Sequence, residues 1–192
     1  SALDEFILSD ADYGYGRKKQ RRKVILASSS GWRRIDGVGS DALPPGRFVA
    51  GTTGTPIGDV RIIGVCIPWA DARVRYAEEK RKKWEDHAAY LDALDAILPK
   101  KAPKRTIVVG DFNQRVPRRN APQALYDKMQ ELFSSRKMTF ATAGIGLAGK
   151  RAIDHVVLSN DLTAESISVV SNWHGKRRLS DHFGVIVDIS AK

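Results

Sequence analysis

Cysteine occurs once, at Cys66, in 192 residues, so no internal disulfide framework holds this chain, and a chain of this length buries enough surface to do without one. A reducing, cytoplasmic location is the expectation. No apolar run approaches the roughly 20 residues that cross a bilayer, so no membrane span is expected. Ser1-Ala2-Leu3-Asp4-Glu5 has no basic region leading into an apolar stretch, and no signal peptide is recognised there. Internal repeats and linkers are also missing, and with 42% apolar residues the sequence describes one globular domain over 1–192. Acidic residues are in deficit: 22 Asp and Glu face 32 Lys and Arg, a formal charge of +10. That excess favours polyanionic partners, because neutralising phosphates releases counterions.

Short apolar runs between turn signals predict strands at Glu5–Ser9, Arg22–Ala27, Thr106–Val109, Thr139–Thr142, Ile153–Leu158, Glu165–Val170 and Gly184–Ile189. Arg47–Thr53 and Asp59–Cys66 read as a hairpin across Gly54-Thr55-Pro56-Ile57-Gly58. Ala77, Trp84, Ala88, Leu91, Leu94 and Leu98 recur at helical spacing and predict a helix over Val74–Leu98, stopped by Pro99. A second amphipathic helix is predicted over Pro122–Phe133. Mixed elements in this order suit packed sheets flanked by helices.

Three strings put chemistry at the ends of strands: Gly110-Asp111-Phe112-Asn113-Gln114, Ile153-Asp154-His155 and Ser180-Asp181-His182. Carboxylates, a carboxamide and an imidazole gathered at a sheet rim are a kit for metal-assisted phosphoester hydrolysis. Asp111 and Asn113 lie two apart, so in extended geometry both point to one side. In order and wording the three strings resemble the endonuclease/exonuclease/phosphatase family, which includes DNase I-like enzymes and apurinic/apyrimidinic endonucleases; the resemblance runs from about Asp4 onward. It implies an α+β fold, a four-layer α/β/β/α sandwich of two mixed sheets flanked by helices, here lacking the family's first strand.

The resemblance also implies roles. Asp111 orients or deprotonates the attacking water, Asn113 hydrogen-bonds a phosphate oxygen, His182 acts on the scissile phosphate, and Asp154 orients His182. His155 should point away from Asp154 and is read as structural. Mg²⁺ or Mn²⁺ is the expected cofactor, since such ions need few protein oxygens, with Asp10 and Asp181 as ligands. Asp10 stands where the family has a longer Glu, which leaves Asp12 and Glu5 as alternatives. A second departure is Cys66-Ile67-Pro68-Trp69, where the apurinic endonucleases carry Tyr-x-Pro-Asn. Cys66 reads as packing, and Trp69 either stacks on a base or plugs the core.

Basic residues border these strings: Arg17, Lys18, Lys19 and Arg21 near the N-terminus, Arg115, Arg118 and Arg119 after Asp111, and Lys176, Arg177 and Arg178 before Asp181. Together with Trp69 they are the expected nucleic-acid contacts. The expected function is a divalent-metal-dependent phosphodiesterase, a nuclease acting on DNA or RNA. The alternatives are hydrolysis of a small phosphorylated molecule or lipid, and a catalytically impaired nucleic-acid-binding protein. A missing first strand would leave a sheet edge open to self-association.

Overall fold

The computed structural model describes residues 5–11, 21–75, 80–101 and 103–192. Arg17, Lys18, Lys19 and Asp12 therefore lie outside the described residues, as does Ala77. In chain order the elements are β1 (Glu5–Leu8), β2 (Ile25–Ser28), β3 (Arg33–Asp36), β4 (Phe48–Thr55), β5 (Gly58–Cys66), α1 (Glu85–Ile97), β6 (Thr106–Asp111) and α2 (Gln123–Ser134). There follow β7 (Thr139–Phe140), β8 (Gly146–Leu147), β9 (Lys150–Arg151), β10 (Asp154–Leu158), β11 (Leu162–Val170), β12 (Trp173–His174), β13 (Arg177–Arg178) and β14 (Gly184–Ala191).

The expected hairpin closes as β4–β5, with Thr55 opposite Gly58. These strands belong to a six-stranded mixed sheet in the order β3-β4-β5-β6-β10-β7. β6 runs parallel to β5 after a crossover through α1, and β10 returns antiparallel to β6. Strand alternation divides the sheet's side chains between two faces. On one face Phe48, Ala50, Ile63, Val65, Val108 and Val157 meet Tyr90, Leu91 and Leu94 of α1 and Met129, Leu132 and Phe133 of α2. On the other, Val49 packs against Ile7 and Val24 beneath the β1–β2 pair. A further antiparallel pair is β11–β14, and the C-terminal site string lies in the turn that leads into β14. This is the α+β sandwich expected from the sequence; among the described residues no helix covers the outer side of the smaller strand pairs.

The first helix is shorter than its periodicity predicts. Trp84 has a left-handed backbone (φ 69°) and α1 starts after it. The chain ahead carries four consecutive cations, Lys80 to Lys83, and folds back onto the helix's opening acids. Arg73 holds Asp86 through two bonds of 2.7 Å, Arg81 pairs with Glu85 at 2.9 Å, and the Lys82 amide donates to Glu85 Oε2 at 2.7 Å. Acids at a helix N-terminus and cations just before it end the helix there. The strand predicted from Arg22 also starts late, because Lys23 and Val24 donate their amides to Gly46 O and Ser9 Oγ instead of to a ladder.

Candidate active site

The centre is built where β6 ends and β10 begins, since antiparallel pairing places Asp154 directly opposite Asp111. Gly110 permits this ending. Its φ is 140°, and a Cβ there would collide with the Val65 carbonyl oxygen on the neighbouring strand. Phe112 is fully buried among Phe133, Phe140 and His155, with ring centroids 5.6–5.8 Å away, and so anchors the loop from below.

Asp111 and Asn113 do come together, though not by extended geometry. Asn113 takes a left-handed backbone (φ 51°) and turns back on the strand end. Its amide N–H donates to Asp111 Oδ1 at 2.9 Å, and its Nδ2 donates to Asp111 Oδ2 and to Ile67 O at 2.8 Å each. The turn is a local Asp-Asn hydrogen-bonding device.

His182 arrives from the turn before β14, held by its amide donating to Ser180 Oγ at 3.0 Å. Its Nδ1 donates to Asp154 Oδ2 at 2.6 Å, which leaves Nε2 outside that bond. Asp111, Asp154 and His182 offer ligand atoms that all lie within 4.8 Å of one another. Burial, and then the charge of Asp154, push the Asp111 carboxyl up to about 6. The hydrogen bond to Asp154 pushes His182 up to about 9. At neutral pH the centre thus pairs a carboxylate with a charged imidazolium.

The two expected metal ligands are not part of this tight group. Asp181 is largely exposed, with Oδ2 3.9 Å from His182 Nε2. Asp10 is exposed and turned to its own loop, its Oδ1 accepting the Ala11 amide at 2.8 Å. A side chain one methylene shorter than Glu is held there by that local bond. The oxygens that the fold gathers are those of Asp111 and Asp154, a donor set that suits a hard divalent cation.

Behind the centre lies a buried polar network that the motifs did not signal. Gln114 Nε2 donates to His87 Nε2 at 2.8 Å, and His87 Nδ1 donates to Pro68 O at 2.7 Å. His155 Nε2 donates to Gln114 O at 3.0 Å, while Thr142 Oγ1 donates to His155 Nδ1 at 3.0 Å. Burial pushes His87 down to about 4 and lowers His155 too, so both are neutral struts, and His155 is structural as expected. Trp69 is 52% exposed, which excludes a core plug. Arg21, Arg118, Arg119, Lys176, Arg177 and Arg178 are exposed and Arg115 is half-buried.

Residues 13–182 match the model of the Endonuclease/Exonuclease/phosphatase family. The chain belongs to that family. It is a family of phosphoester hydrolases that generally depend on a divalent metal. The chain is similar in fold to the 3′ phosphatase NExo from Neisseria, solved bound to a product DNA hairpin, at TM-score 0.68 and 18% identity over 97% of this chain and 79% of that one. It is also similar to a family protein from Leptotrichia buccalis (TM-score 0.63, 17% identity, 99% and 72% covered). The human Nocturnin catalytic domain gives TM-score 0.64 at 15% identity, with 98% and 72% covered. No curated protein matches the sequence.

Proposed function

We propose that this protein is a divalent-metal-dependent phosphodiesterase, and specifically a nuclease that hydrolyses DNA or RNA. The observation that carries the reading is the close group of Asp111, Asp154 and His182, two carboxylates and an imidazolium with opposed proton affinities at one sheet rim. Asp111 takes a proton from water as its oxygen attacks phosphorus. The P–O bond to the leaving group then breaks, and the Nε2–H of His182 protonates or stabilises the departing oxygen. Asp154 fixes the tautomer and orientation of His182. The Asn113 amide, held at rest on Asp111 and Ile67 O, turns to a phosphate oxygen when substrate binds.

When bound, Mg²⁺ or Mn²⁺ supplies charge neutralisation at the phosphate oxygens. The carboxylates that would hold the ion are those of Asp111 and Asp154, with the exposed Asp181 beside His182 as a further candidate. The basic residues that border the site strings in the sequence serve nucleic-acid backbone, Trp69, exposed beyond the end of β5, stacks on a base or sugar, and the single cysteine fits work in the cytoplasm. The test is a panel of labelled DNA, RNA and small phosphate esters with Mg²⁺ or Mn²⁺. Cleavage of nucleic acid that is abolished by EDTA is expected. Turnover of the small esters alone would transfer the activity to the small-molecule alternative, and no turnover of any substrate would leave a binding protein.

A further inference from the structure

The ten residues from Ser171 to Ser180 form a small hairpin, β12–β13, on the chain leading into the catalytic turn. It holds three consecutive cations, Lys176, Arg177 and Arg178, and no acidic residue. Its base is clamped to the residue that positions His182. Asn172 Nδ2 and Arg178 Nε both donate to Ser180 O, at 2.8 and 2.9 Å, and the Leu179 amide donates to Asn172 O at 2.8 Å. Trp173 and Arg178 are cross-strand partners and share one face. Trp173 is 53% exposed and Leu179 62% exposed, and among the described residues Trp173 makes no ring contact. At the base of the hairpin a cavity of about 440 Å³ is lined by Asn172, Leu179, Phe183, His182 and Asp154.

We propose that this hairpin is a base-stacking platform, with Trp173 as the stacking surface and Arg178 beside it for the backbone, which selects nucleic acid presenting unpaired bases next to the scissile phosphate. The proposal rests on the nuclease reading and narrows its substrate. An indole offers a sequence-tolerant face to any base, whereas bases in a duplex already stack on each other. An aromatic group and a guanidinium on one face match the alternation of base and phosphate in a single strand. Insertion into a membrane is the rival use of an exposed Trp among cations, but it calls for an apolar tip. Here the tip is Gly175-Lys176, which carries an exposed, strongly hydrated ammonium, while Trp173 lies back on the strand.

The test measures binding alone, by fluorescence anisotropy in EDTA, with a labelled single-stranded oligonucleotide, its duplex and anionic phosphatidylserine vesicles as probes. Trp173→Ala should weaken single-strand binding about 10-fold, the scale of one lost stack, with little change for the duplex, and Trp173→Phe should retain most of the affinity. Three results would overturn the proposal: equal losses on single strand and duplex, an unchanged single-strand affinity, or a loss confined to vesicles. Wild-type protein that binds no single strand would overturn it as well. Because no turnover is measured, Trp173-dependent binding by a protein that cleaves nothing would reject the nuclease reading and leave the stacking platform standing.

Discussion

Replacing Asp154 with Asn removes a negative charge that acts on both partners of the centre, in directions the structure specifies. In the wild type, kcat/KM should rise with pH as Asp111 ionises near 6 and fall as His182 loses its proton near 9. His182 owes its elevation above the ordinary 6.5 first to the hydrogen bond from Nδ1 to Asp154 at 2.6 Å. Without the carboxylate its value should return toward the ordinary one, and the alkaline limb should move down with it. At pH 8 the protonated share would drop from about 90% to about 3%, so the variant should lose about 30-fold there beyond any loss at pH 6. The Asp154 charge also raises Asp111, so the acidic limb should move down as well. The assay is a kcat/KM profile from pH 4.5 to 10 on one oligonucleotide, read beside an NMR titration of the His182 ring in the metal-free protein, to which the values near 6 and 9 belong. An alkaline limb that stays near 9 in the variant would show that His182 is not the group titrating, and the assignment of acid and base would fail.

Asp111→Asn and His182→Ala should each lower turnover by about 10² or more, with circular dichroism showing the fold retained. In metal-free buffer at pH 7–8 the Asp111→Asn protein should melt at a higher temperature: a carboxyl whose folded value is raised penalises the folded state above about 6, and the penalty fades as pH falls toward the unfolded value. Replacing Arg17, Lys18, Lys19 and Arg21 with Ser should weaken binding to unrelated sequences alike and flatten the log K against log salt slope by roughly 0.7 to 0.9 per lost phosphate contact; an unaltered slope rules those contacts out. Because β1 pairs with β2 alone among the described residues, and Phe6 on it is 61% exposed, the chain should self-associate through that edge, as sedimentation would reveal. Calorimetric titration should give Mn²⁺ affinity of millimolar order, about 4 kcal/mol, and micromolar binding by a monomer would disprove both.

Much of this protein is written in short-range signals. The β4–β5 hairpin shows because Gly58 (φ 94°) closes a tight turn between two β-rich runs, and α2 because its apolar positions recur at helical period and start after Pro122. The strings around Asp111, Asp154 and Asp181 likewise announce a phosphoester centre by residue type alone. Nothing local, however, says that Asp154 lies opposite Asp111, or that His182, 28 residues on, reaches Asp154. The first is a strand pairing and the second a side-chain hydrogen bond from the turn before β14 to a strand of another sheet, and both depend on which surfaces the whole chain buries together. The same holds for the start of α1, where Arg73 and Arg81 close on Asp86 and Glu85, and for Asp10, which a bond to Ala11 keeps in its own loop. The proton affinities of Asp111 and His182 are tertiary as well, because burial and a neighbouring charge set them. Sequence by itself named the candidate groups; only the packed sheets decided which of them meet, and in what state of charge.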